Sequence, residues 1–197
     1  MMRSIALLAV VACSSSDATL PDAAPEPPET TAYRGTLAIP DYLEVPAIPS
    51  FNPPTAEKIA LGRRLLYDRR LSGNQTPPCA GCHEQRLAFA DGLARPTGST
   101  GTELRRNSPG LANAVYHSTL TWANNGLRVL EDQLQVPIRG DNPIELGVSD
   151  ANVGEVLARF DGDASYAEMF RAAFPDSASG ATSRRSSSRS RASAAAW

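Results

Sequence analysis

Cys79-Ala80-Gly81-Cys82-His83 puts two thiols three positions apart with an imidazole directly behind the second. That is the arrangement that holds a c-type haem, each thiol forming a thioether to a haem vinyl group while the imidazole binds iron. The pentapeptide therefore predicts one covalent haem c, with Cys79, Cys82 and His83 as attachment residues and His83 as the iron ligand. Two other chemistries use similar spacing. A structural zinc site needs four Cys or His ligands, but the chain has three cysteines and two histidines in all, and Cys13 lies in the N-terminal leader. A thioredoxin-type Cys-x-x-Cys follows a strand in a βαβ pattern, whereas the residues before Cys79 read as helix and then loop.

Outward from the pentapeptide the pattern is helical. Thr55 is a candidate N-cap, and Ile59, Leu61, Leu65 and Leu66 recur at helical spacing before Leu71-Ser72-Gly73-Asn74 breaks the run. A short helix is expected to begin inside the pentapeptide, followed by a long loop over residues 89–107 punctuated by Gly92, Pro96, Gly98 and Gly101. Further helices are expected over 109–117, over 127–136 with Leu127, Leu130 and Leu134 on one face, and over 150–160 with Val153, Leu157 and Phe160. A last helix carries Tyr166, Met169, Phe170, Ala173 and Phe174 between an Asp163 cap and Pro175. No period-2 run competes with these, so the predicted fold class is all-α: a cytochrome c-like haem domain with long loops, over residues 51–176.

The flanks are of another kind. Met1-Met2-Arg3, the apolar run from Ile5 to Ala12 and then Cys13 read as an export signal too short to span a bilayer. Val10-Val11-Ala12-Cys13 resembles a bacterial lipobox, which predicts a lipoprotein-type signal over 1–12 and a periplasmic protein tied to the membrane by a lipid on Cys13; an ordinary cleaved signal is the alternative. Residues 13–50 are rich in Pro, Ala and Ser and predict a disordered tether. From 177 to 197, eighteen of twenty-one residues are Ser, Arg or Ala. This low-complexity tail cannot build a core, and it reads as disordered or as the product of a shifted frame near Asp176. A formal charge of −2 gives no case for nucleic acid as a partner.

The segments LGRRLLYDRRLSGN, RRNSPGLANAVYH, TWANNGLRVLEDQ and NPIELG, in this order around CAGCH, resemble the N-terminal domain of the bacterial di-haem cytochrome c peroxidase superfamily. The resemblance is nearest the branch that oxidises side chains of partner proteins. It implies a haem-binding oxidoreductase that reacts with hydrogen peroxide and passes electrons, with an electron donor or substrate protein as partner. It also implies roles for individual residues. Glu145 falls where the family has an acid/base beside the haem, Pro137 where a proline lines the same pocket, Trp122 where a tryptophan relays electrons between two haems, and Asn107 where a calcium ligand stands. Arg105 and Arg106 are candidates to pair with haem propionates. The alternatives are ordinary: a solvated loop carboxylate for Glu145, a core aromatic for Trp122, a helix cap for Asn107. The loop from Ala88 to Arg106 has no histidine, which by the resemblance implies iron reactive without prior activation. The family's second Cys-x-x-Cys-His domain has no counterpart in the sequence. A mono-haem electron carrier, with His117 or Met169 as sixth iron ligand, or an inactive fragment, are therefore the competing readings.

Overall fold

The computed structural model describes residues 28–121 and 124–177. Cys13, Trp122 and most of the Ser/Arg/Ala tail lie outside them. Six α-helices occur among the described residues: α1 (Pro28–Thr36), α2 (Ala56–Leu66), α3 (Leu130–Gln133), α4 (Gln135–Arg139), α5 (Val153–Asp161) and α6 (Ala164–Ala173). No strand occurs among them, only the isolated bridges Glu84–Ala90 and Thr97–Glu103. The all-α expectation holds. No helix among the described residues is long and apolar enough to cross a membrane.

Local chemistry sets the ends of the longer helices. The Thr55 side chain accepts the Lys58 N–H at 3.2 Å and starts α2. Asp163 accepts the Ser165 N–H at 3.0 Å and starts α6, which stops just short of Pro175. Leu61 and Leu65, one turn apart on α2, pack with Val156, Leu157 and Phe160 of α5 and Tyr166, Phe170 and Ala173 of α6 in one core. The Phe160 and Tyr166 rings meet edge to face at 4.9 Å, which adds about 0.5–1.5 kcal/mol to their burial. Leu71, Ile138, Leu146 and Val148 carry this core toward the loops, and Cys79 packs against its margin. Thus the haem pentapeptide is fastened to the best-buried part of the fold.

Three expectations change in detail. The helix expected over 127–136 starts only at Leu130 and breaks at Leu134. Pro137 is the reason: it has no N–H to continue a ladder from Gln133, but is tolerated in the first turn of a new helix. The helix expected over 109–117 shrinks to a 3₁₀ turn at Ala114–Tyr116, because Asn113 before it is left-handed at φ 57°. Finally, the stretch expected to be an irregular tether contains α1, and the chain after it is tied down. Arg34 donates to the carbonyls of Pro40 and Leu43, and the Tyr116 hydroxyl donates to Glu44 O at 2.9 Å.

Candidate functional site

The turn after Pro78 begins the site. Cys79–Gly81 form a 3₁₀ turn, and the Cys82 and His83 N–H groups both donate to Cys79 O, at 3.1 and 3.0 Å. The turn sets both thiols and the imidazole on the wall of one cavity of about 480 Å³. Neither cysteine is in a disulfide. Burial pushes the Cys79 thiol up to about 11, and burial also raises Cys82, opposed by a hydrogen bond with the Ser108 hydroxyl.

His83 is oriented by the loop that follows it. Glu84 N–H donates to Ala90 O at 2.9 Å, and Phe89 N–H donates back to Glu84 O at 2.9 Å, closing a small ring of chain. Ala88 and Phe89 take left-handed conformations, φ 53° and 62°, to make the turn. The Phe89 carbonyl is thereby brought to 2.8 Å from His83 Nδ1. A carbonyl only accepts, so Nδ1 carries the proton and Nε2 keeps the lone pair a metal needs.

Glu145 stands on the same cavity wall, and burial raises its carboxyl above the usual range. Its backbone is held from three directions. Ser99 N–H donates to Glu145 O at 2.7 Å, Leu146 N–H to Pro137 O at 2.9 Å, and Gly73 N–H to Leu146 O at 2.7 Å. Gly98 lets the Ser99 loop come this close, since a side chain there would collide with the Ile144 carbonyl. Arg105 adds a strut from the opposite side, donating to Asn142 Oδ1 at 2.9 Å. Arg105 and Arg106 both line the cavity, so the guanidinium of either can meet an anionic group on a bound cofactor.

Cys79, Cys82, His83, Pro137, Glu145, Arg106 and Asn107 all line this cavity. Trp122 lies outside the described residues, although Thr121 and Asn124 on either side of it are on the cavity wall. No helix follows Asn107, so it is not a helix cap. His117 lines the cavity as well, whereas Met169 packs against the core, with Arg64 Nη1 at 3.4 Å from its sulfur. Met169 is therefore not placed to be an iron ligand. Sequence reading missed the Phe89 carbonyl, the buried Asp91 and Ser108, and the half-buried Arg159. Only the Asp among glycines and alanines at 91–94 gave a local hint, since such turns favour a capping carboxylate.

The wall suits a large apolar ring system with a charged edge. Leu66, Leu104, Leu120, Leu127 and Leu134 supply apolar contact, and the two unpaired thiols and the oriented imidazole supply three attachment points. The sequence model of the family described as "Di-haem cytochrome c peroxidase" matches residues 56–195. The chain belongs to the di-haem cytochrome c peroxidase family. C-type haem binding comes with that membership.

Relatives of this peroxidase family agree. The chain is 35% identical over 130 residues to cytochrome-c peroxidase IdrP1 of Denitromonas iodatirespirans, covering 65% of this chain and 34% of that protein. It is 34% identical over 166 residues to the methylamine utilization protein MauG of Methylorubrum extorquens, covering 84% and 44%. Among solved structures, a MauG-like protein associated with microbial copper homeostasis aligns with TM-score 0.72 and 46% identity, over 80% of this chain and 44% of that one. The chain thus spans less than half the length of these relatives.

Proposed function

We propose that this chain carries the peroxide-reactive haem domain of a di-haem peroxidase-like oxidoreductase. The supporting observation is that His83, with Nδ1 committed to the Phe89 carbonyl, shares one cavity with a carboxyl whose pKa burial has raised. Cys79 and Cys82 would hold the haem covalently, His83 Nε2 would bind its iron, and Arg106 would face a propionate. When bound, the haem supplies a redox-active iron that takes electrons from one partner and delivers them to peroxide.

The residues of the chain do the rest. Glu145 takes a proton from incoming peroxide and returns it to the departing oxygen, a task that suits a carboxyl poised above its ordinary range. Pro137 and the leucine wall restrict water around that transfer. Trp122 relays an electron between this domain and a second haem domain supplied by further chain or a partner. The natural reductant or oxidised substrate is a protein. Asn107 contributes one ligand to calcium at the margin of the domain, and the protein works in the periplasm, lipid-anchored at Cys13.

The test is the ferric optical spectrum of matured protein, followed on adding hydrogen peroxide. A high-spin spectrum that changes within seconds supports this reading. An inert low-spin spectrum would instead favour a mono-haem electron carrier with His117 as sixth ligand, a reading kept because His117 lines the cavity.

A further inference from the structure

Three polar residues are buried among the described residues: Ser72, Asp91 and Ser108. Ser72 caps a local turn, its Oγ donating to Arg69 O. Ser108 instead lines the haem cavity and is tied to Asp91 in the loop that follows His83. Ser108 Oγ donates to Asp91 Oδ2 at 3.0 Å, and Leu93 N–H donates to Asp91 Oδ1 at 3.0 Å. Asp91 follows directly on the ring of chain that presents the Phe89 carbonyl to His83.

A carboxylate is left 8% exposed only when hydrogen bonds offset its desolvation. The loop it closes needs such a tie. Ala88 and Phe89 are both left-handed without being glycine, which costs about 1–2 kcal/mol per residue. A loop so placed relaxes unless its far end is pinned, and the Phe89 carbonyl would move with it. The Nδ1–H···O=C bond to a ligating histidine sets how much electron density the ring gives its metal.

We propose that Asp91 and Ser108 form a positioning pair that holds the Phe89 carbonyl on His83 Nδ1, and so sets the electron-donating strength of His83. This rests on the reading that His83 Nε2 binds the haem iron. Neither residue touches substrate. Their effect passes through His83.

The test uses the matured haem protein and the variants Ser108→Ala, Asp91→Asn and Ser108→Thr, with Ser72→Ala as a buried-serine control. The readouts are the midpoint potential of the haem and the iron–imidazole stretching band of the ferrous protein. Ser108→Ala and Asp91→Asn weaken the Nδ1 hydrogen bond, so the band falls in frequency and the ferric form loses stability relative to the ferrous. A tenfold shift in that balance corresponds to a rise of about 59 mV for one electron. Ser108→Thr keeps the hydroxyl and stays near wild type. Ser72→Ala lowers thermal stability and leaves both readouts unmoved. Should Asp91→Asn not fold, Ser108→Ala against Ser108→Thr decides, because the alanine leaves Asp91 its Leu93 partner. Variants that lose stability like Ser72→Ala while potential and band stay fixed would overturn the pair's role alone. A matured His83→Ala protein whose haem spectrum and midpoint potential match wild type would remove the reading of His83 itself, and the pair's role with it.

Discussion

Replacing Glu145 with glutamine keeps the shape of the side chain and removes its ability to move a proton. The surroundings predict a selective effect. Burial is the one influence that raises the Glu145 carboxyl, so no charge is left stranded by the change. The backbone bonds from Ser99 to Glu145 and from Leu146 to Pro137 do not involve the side chain. Haem attachment is therefore retained. Loss of a positioned acid/base costs about 10²–10⁴ in rate, which is about 2.7–5.4 kcal/mol of barrier at 1.36 kcal/mol per decade. Stability moves the other way. A carboxyl whose folded pKa is raised stabilises the fold below its unfolded pKa, and that contribution is lost as pH rises through the folded value. At neutral pH Glu145→Gln is accordingly as stable as wild type or slightly more so, and the difference vanishes in acid. Stopped-flow mixing of the ferric protein with peroxide, over a range of pH, reads both the rate and the limb belonging to Glu145. Equal rates and an unchanged pH profile in the variant would refute the assignment.

Other predictions concern the scaffold beneath the site. Arg159, 12% exposed, donates to the carbonyls of Arg70, Ser72 and Gly73. Arg159→Met orphans these acceptors and should cost about 2–4 kcal/mol in urea titration, whereas Arg139→Met breaks only the exposed pair with Asp150 and should cost less than about 1 kcal/mol. Tyr166 is fully buried and donates to Asp68 Oδ2 at 2.8 Å; Tyr166→Phe should lower the denaturation midpoint by about 1–3 kcal/mol of stability without changing the denaturant slope. Burial alone would raise the Asp68 carboxyl, but hydrogen bonds from Arg70 and Tyr166 outweigh it and hold it low, while Ser165 and Arg70 hold Asp163 at about 2. These depressed values stabilise the fold above the unfolded carboxylate range and are lost as pH falls through the folded values. Asp68→Asn should therefore flatten the acid limb of stability below about pH 4, as followed by circular dichroism.

What the sequence made legible was local. Thr55, Asp163 and Pro175 bound their helices because caps and proline act within a few residues. The haem pentapeptide is legible for the same reason, three attachment groups in five positions. Glu145 and Pro137 are 62 and 54 residues from His83 and came only through resemblance to a family. Their meeting with His83 depends on the ties from Gly73, Ser99 and Arg105. Asp91 with Ser108 and Arg159 with the Arg70–Gly73 loop had no periodic signal, since each joins distant segments through side chain and backbone. Pro28 reads equally as tether punctuation or as the first residue of a helix, and the fold uses it as the latter. The break at Leu134 was available from Pro137 but was outweighed by the spacing of Leu127, Leu130 and Leu134.

The central claim is that Cys79, Cys82 and His83 hold a haem in the cavity shared with Glu145. Intact mass measured under denaturing conditions, on protein matured in a host competent for haem attachment, tests it most directly. The expected result is the polypeptide plus one haem, with the added mass mapping to the peptide containing Cys79 and Cys82 and disappearing in the Cys79→Ala/Cys82→Ala double variant. A mass equal to the polypeptide alone, or a haem carried on any other peptide, would contradict it.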